Sequence, residues 1–239
     1  MPKLDRDGRR AALLTSALFQ AMKPSELESV LDLAIERRFR RNQMIFQKDE
    51  EGSSMMAVLT GRVRISAVSA EGKEVTLNVI KQGEVFGEIA LLDGRPRSAA
   101  ATAAEETVLL VLERRDFQPM LAVNPDLAQR LLVVVCDKLR RASLALEDFA
   151  LLDLPERLAR LLINLAEEYG RRTAAGIVID VRMSQRDLST WVASSRESIN
   201  KQLKAWRDEG IVELEAGLII LRQPDALHRL IRAQDERDF

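Results

Sequence analysis

Five glycines, Gly52, Gly61, Gly72, Gly83 and Gly94, recur nine to eleven residues apart, and the runs they separate alternate in character, as in RVRISAVS, EVTLNVI and, further on, TVLLVLE. Regular turn signals between short alternating runs predict an antiparallel sandwich or jelly roll from Phe39 to Asp116. The flanks obey a different rule. Ahead of the roll, Leu14, Leu18 and Met22, then Leu27, Val30, Leu31 and Leu33 after Pro24-Ser25, are spaced for two short helices.

Behind it, no glycine and no further proline follows Pro125 until Pro155, and apolar positions recur at Leu132, Val135, Leu139, Ala142, Leu146 and Phe149. Gaps of three and four repeated without a break are the seam of a coiled coil. Such a helix either packs on its own domain or pairs with a second copy. At about 1.5 Å per residue it runs roughly 40 Å, longer than a small roll covers, so a homodimer is predicted. A second helix is predicted from Pro155 to Gly170, which makes FALLDLPER an elbow. A length of 239 residues suits two domains. We expect residues 1–124 to form the first, 125–152 the dimerisation helix and hinge, and 153–239 the second.

Residues 184–203 read SQRDLSTWVASSRESINKQL. Ser184 and Asp187 have capping-box spacing, Leu188 and Val192 face inward, and a tight turn near Ala193-Ser194 restarts a helix whose inner face carries Ile199, Leu203 and Trp206. This is the pattern of a helix-turn-helix. Gly210 ends the second helix, and IVEL and LIIL, separated by Glu215-Ala216-Gly217, form a hairpin wing.

A formal net charge of −1 gives no overall field for nucleic acid. Locally the balance differs: from Arg182 to Arg207 stand Arg182, Arg186, Arg196, Lys201, Lys204 and Arg207 against only Asp187 and Glu197. Glu197 has two readings, as the cap partner of Ser194 or as a base reader. With Arg196 and Lys201 it shares the outward face at the start of a helix, where recognition helices meet base edges. Arg196 or Lys201 suits guanine O6 and N7, and Glu197 suits cytosine N4. Ser184, Gln185, Arg186 and Ser195 suit phosphates.

Other classes fall away on composition. One cysteine, Cys136, excludes an internal disulfide and a cysteine-ligated cluster, and reads as a packed small hydrophobe. One histidine, His228, leaves no Ser/His/Asp set and no axial haem ligand near the roll, so no enzyme and no permanently bound cofactor are expected. There is no signal-peptide pattern and no run of about eighteen apolar residues, so the expected location is the cytoplasm, away from membranes.

The stretch FGEIALLDGRPRSAAATA, residues 86–103, resembles the phosphate-binding cassette of cyclic-nucleotide-binding domains. With the roll, the long helix, Asp153 at the hinge and the SRES segment, nearly the whole chain resembles the cyclic AMP receptor protein/FNR superfamily of bacterial transcription regulators. The resemblance implies an α+β chain: an N-terminal cyclic-nucleotide-binding β-roll (jelly roll), a long coiled-coil dimerisation helix and a C-terminal winged helix-turn-helix. It also implies cAMP, or cGMP, as allosteric ligand. Arg97 and Ser98 are then expected to hold the cyclic phosphate, with backbone amides around Gly87, Glu88, Ile89 and Ala90 adding contacts. Glu88 is placed to accept from the ribose 2′-OH; the bland alternative is an ion pair between Arg97 and Glu88. Ala142 and Ser143 stand where the receptor has a Thr-Ser pair reaching across the dimer to adenine. Loss of the Thr hydroxyl weakens discrimination, so cAMP is expected first and cGMP as its competitor. Further implications are a palindromic site with TGTGA-like half-sites, and a contact with RNA polymerase for which the loop 170–176 offers a surface. Two rivals are a cyclic-nucleotide-binding regulatory subunit without DNA binding and a ligand-independent regulator with a vestigial pocket.

Overall fold

A computed structural model describes residues 4–20, 22–181, 183–215 and 217–235. The chain divides into two compact units, residues 1–141 and 142–239.

The first unit opens with three helices rather than the expected two: α1 (Arg6–Leu13), α2 (Ala17–Gln20) and α3 (Pro24–Leu33). The break has a local cause. Thr15 Oγ1 donates to the Ala12 carbonyl (2.7 Å) and Ser16 Oγ accepts from Leu18 N–H (3.3 Å), so two hydroxyls take over backbone bonding between α1 and α2. Leu18, Met22, Leu27, Val30 and Leu31 are buried as their spacing implies, whereas Leu14 and Leu33, at the helix ends, are exposed.

Strands β1 (Ile35–Phe39), β2 (Met44–Phe46), β3 (Ser54–Thr60), β4 (Val63–Val68), β5 (Glu74–Ile80), β6 (Val85–Phe86), β7 (Ala100–Ala103) and β8 (Thr107–Glu113) build the roll. They form two antiparallel sheets, ordered β1-β8-β3-β6 and β2-β7-β4-β5. In β3 the alternation of a strand sorts side chains between two cores. Met56 and Val58 join Phe46, Phe86 and Leu109 in one cluster, which draws on both sheets. Met55, Ala57 and Leu59 join Leu13, Leu18, Phe19, Phe117 and Leu131 beneath the helices. Each fully buried Leu or Phe contributes about 1.5–3 kcal/mol, so the two clusters fix the register of β3 against β8. Two helices complete the unit: α4 (Glu88–Asp93), which extends the short helical turn expected around Gly87–Ala90, and α5 (Arg114–Val123), which the sequence pattern did not announce.

The long helix, α6 (Pro125–Leu151), has 27 residues. Leu127, Leu131, Val134 and Lys138 fall on one face, with Leu127 and Leu131 buried and Val134 packed against the first core. Among the described residues no single helix is long and apolar enough to cross a membrane.

In the second unit, α7 (Leu154–Tyr169) starts on a capping box between Asp153 and Glu156. Strands β9 (Gly170–Thr173) and β10 (Gly176–Ile179) then pair, so the expected loop 170–176 is the first strand and the turn of a hairpin. Helices α8 (Gln185–Trp191) and α9 (Arg196–Asp208), the hairpin β11 (Val212–Glu215) and β12 (Leu218–Leu221), and α10 (Pro224–Asp235) follow. The wing is part of a four-stranded sheet, β11-β12-β10-β9. Its core holds Leu158, Leu162, Leu188, Val192, Ile199, Leu203 and Trp206.

Candidate functional site

The two glycines of the cassette have separate structural reasons. Gly87 (φ 76°) turns the chain from β6 into α4, and Gly94 (φ 72°) ends that helix, both in the left-handed region that disfavours a side chain. A Cβ at Gly87 would stand 2.6 Å from Arg97 Nη1, and one at Gly94 would stand 2.2 Å from Arg114 Nη1. Glycine here lets two guanidinium groups close onto the backbone.

Arg97 is 5% exposed. Its Nη1 donates to the carbonyls of Ser54 (2.7 Å) and Gly87 (3.0 Å), and its Nη2 donates to Ser54 Oγ (3.0 Å). The guanidinium carbon lies 4.3 Å from the centre of the Phe46 ring. Burial lowers its pKa from the usual arginine value, opposed by the carboxylates of Glu113, Glu50 and Glu88, and an arginine stays charged under such a shift. The cassette therefore holds a fixed buried cation.

Glu88 is 2% exposed. Its partner is Lys138 on α6, whose Nζ donates to Glu88 Oε2 (2.9 Å) and to the Val85 carbonyl (2.8 Å). Sequence reasoning missed Lys138, which reads as one more charge on a helix. The available signal was its spacing after Leu127, Leu131 and Val134, which puts it on the roll-facing side.

The other cassette positions divide. Ala90 is buried under Gly52, whose missing Cβ would stand 2.4 Å from the Ala90 Cβ, while Ile89 and Ser98 are exposed. Ala142 and Ser143 are exposed on α6 and belong to the second unit. In the single chain the predicted seam lies open: Leu132, Leu139 and Leu146 are exposed by 61%, 66% and 70%, Val135 is half-buried, and Phe149 carries the Arg157 guanidinium 5.5 Å from its ring centre. Leu132, Leu139 and Leu146 thus form an exposed apolar stripe on α6. Cys136 is also exposed on α6, not packed as its sequence context suggested.

In the second unit Ser184 caps α8 through a box with Asp187, accepting from Asp187 N–H (3.1 Å) and donating to Asp187 Oδ2 (2.7 Å). The cap of α9 is Ser195, not Ser194, with its hydroxyl accepting from Ser198 N–H (3.0 Å). Glu197 is thus one residue short of the capping-box position, which leaves its carboxylate out of the cap. Ala193 takes the left-handed conformation (φ 50°) in the turn between α8 and α9. On α9, Ile199, Leu203 and Trp206 are buried, and Arg196, Glu197, Lys201, Lys204 and Arg207 are exposed. Arg186 is exposed and Gln185 half-buried at the start of α8. Arg182 and Ala216 lie outside the described residues. The chain carries two chemistries: a cassette holding a buried cation, Arg97, and a buried carboxylate, Glu88, and a helix face that is basic with one acidic exception.

Comparison with known proteins matches residues 36–124 to the cyclic nucleotide-binding domain and residues 156–230 to the Crp-like helix-turn-helix domain. A protein of Thermus thermophilus named cyclic AMP receptor protein is 31% identical over 215 residues, covering 90% of this chain and 96% of its own. The CRP-like cAMP-activated global transcriptional regulator of Mycobacterium tuberculosis is 26% identical over 220 residues, covering 92% and 98%. Among solved structures, the c-di-GMP responsive global regulator CLP of Xanthomonas campestris superposes with a TM-score of 0.75 at 22% identity, covering 84% of this chain and all of that one.

Proposed function

The chain belongs to the cyclic AMP receptor protein/FNR superfamily of cyclic-nucleotide-binding, DNA-binding transcription regulators, which are not enzymes, and from that premise we propose that it is a homodimer switched by cAMP. cGMP is the competing ligand, because the purine position keeps Ser143 but has Ala142 in place of a threonine. The names of the mycobacterial and Thermus relatives favour cAMP. The observation that carries the reading is the pairing of a buried, bonded Arg97 with a buried Glu88 at the two ends of one cassette. One offers a cation to a cyclic phosphodiester, and the other an acceptor to the free 2′-OH.

In this reading the exposed Ser98 hydroxyl adds a phosphate donor, and Lys138 links Glu88 to the long helix. The exposed stripe of α6 is the dimer seam. Arg196 and Lys201 address guanines, Glu197 addresses cytosine, and Arg186 and Gln185 address phosphates. The hydroxyls of Ser184 and Ser195 cap their helices and position the face that reads DNA. Two recognition helices about 34 Å apart would meet a palindrome of TGTGA-like half-sites. The basic β9–β10 hairpin, with Arg171 and Arg172 exposed, is the surface we assign to RNA polymerase.

Titration calorimetry with cAMP and cGMP, on the wild type and Arg97→Ala, tests the ligand. The expected result is saturable binding of cAMP, weaker binding of cGMP, and loss of both in Arg97→Ala. Binding of neither nucleotide to the wild type would leave a ligand-independent regulator with a vestigial pocket.

A further inference from the structure

A guanidinium has five N–H donors, two on each Nη and one on Nε. In Arg97 both Nη1 donors are spent on the Ser54 and Gly87 carbonyls, and one Nη2 donor is spent on Ser54 Oγ. Ser54 thus grips the end of the guanidinium with its carbonyl and its hydroxyl together. The hydrogen bonds among the described residues leave the Nε–H and the second Nη2–H, which is the side edge of the fork. That edge binds the two oxygens of a carboxylate or phosphate in parallel.

Two further residues define how this edge is held. The guanidinium carbon lies over the Phe46 ring, 4.3 Å from its centre, and the ring is 5.9 Å from that of Phe86, within the core shared by the two sheets. The space beside Nε is kept open by Gly52, where a Cβ would come within 3.1 Å of Arg97 Nε. An aromatic ring lies against one side, Ser54 holds one end, and the remaining edge is unspent.

We propose that Phe46 and Ser54 are positioning residues for ligand binding, which hold the Arg97 guanidinium so that its Nε/Nη2 edge grips one face of the cyclic phosphodiester. This rests on the reading of Arg97 as the phosphate ligand. Neither residue touches the nucleotide; both act through Arg97. Phe46 supplies the attraction between a cation and the negative face of an aromatic ring, which an aliphatic side chain of similar size lacks. Ser54 supplies two acceptors, its carbonyl for Nη1 and its hydroxyl for Nη2.

The test uses the full chain, calorimetry with cAMP, and the two phosphorothioate diastereomers of cAMP, in which sulfur replaces one or the other exocyclic phosphate oxygen. The wild type is expected to prefer one diastereomer. Phe46→Leu is expected to bind cAMP roughly tenfold more weakly, the size of a desolvated cation–π contact, and to lose most of the preference between diastereomers. Phe46→Tyr, which keeps the ring face, is expected to restore both. Ser54→Ala carries the same test without altering the core, should thermal melting show Phe46→Leu unfolded. A structural role alone would weaken both diastereomers equally. An unchanged diastereomer ratio in Phe46→Leu and Ser54→Ala, or no preference in the wild type, would therefore overturn the inference while leaving cAMP binding intact. Failure of the wild type to bind cAMP at all would instead overturn the reading of the site itself.

Discussion

Lys138 Nζ donates to Glu88 Oε2 at 2.9 Å and to the Val85 carbonyl at 2.8 Å, across fifty residues of sequence, and so ties the long helix to the carboxylate of the cassette. The carboxylate is almost wholly withdrawn from water, and Lys138 is the cation that compensates it.

Removing that cation leaves a buried charge without a partner. Lys138→Met is expected to destabilise the first unit by roughly 3 kcal/mol, since breaking one side of a buried pair costs more than the pair contributes. Lys138→Met combined with Glu88→Gln is expected to be milder than Lys138→Met alone, because no uncompensated charge remains. Denaturant unfolding of the wild type, both single variants and the double variant measures the cycle, and additive losses would contradict it.

At the start of the second unit, Arg160 Nη1 bonds Asp148 Oδ1, and Arg157 and Glu147 also act on Asp148. Burial raises the Asp148 pKa above the ordinary 3.8, with Arg160 opposing it. A carboxylate with a raised folded pKa binds more protons folded than unfolded, so its contribution to stability is full below the unfolded pKa and fades as pH rises through the folded one. Melting temperatures from about pH 3 to 6 are expected to show this falling component in the wild type and not in Asp148→Asn, when the two curves are subtracted. A difference curve that is flat or rises with pH would contradict the assignment.

The open stripe on α6 predicts association. Leu139→Glu and Leu146→Glu each place a charge in the seam, and both are expected to shift the protein from dimer to monomer in sedimentation equilibrium at micromolar concentration, with the fold retained by circular dichroism. A wild type that is already monomeric would remove the seam from the account.

What could be read from the sequence followed the range over which each interaction acts. The capping box of Ser184 and Asp187, the inward face of Ile199, Leu203 and Trp206, and the reversals at Gly87 and Gly94 are local, and their residue types carry them. The break between α1 and α2 escaped the apolar pattern because two hydroxyls cause it. Polar residues after Gly170 disguised β9, whose strand state comes from pairing with β10, which itself pairs with β12. The least legible features were the partners of the cassette: Lys138 for Glu88, and Ser54 and Phe46 for Arg97, all brought in by the fold from elsewhere in the chain.

On α9, Glu197 stands exposed among the exposed cations Arg196, Lys201 and Lys204. Glu197→Ala is expected to relax discrimination at one base pair by about 1–3 kcal/mol while leaving the salt dependence of binding unchanged. Arg186→Ala is expected to weaken binding to all sequences alike and to lower the salt slope by about one. Competition binding against single-base variants of the site, at several salt concentrations, separates the two.

In the proposed switch, nucleotide and DNA binding strengthen each other through one chain, by the same factor in either direction. Fluorescence anisotropy of a labelled duplex carrying a TGTGA palindrome, titrated with protein with and without saturating cAMP, measures that factor directly. DNA binding is expected to tighten at least tenfold with cAMP in the wild type, a coupling of about 1.4 kcal/mol, and not to change with cAMP in Arg97→Ala. Equal DNA affinity with and without cAMP, in a protein shown to bind cAMP, would contradict it.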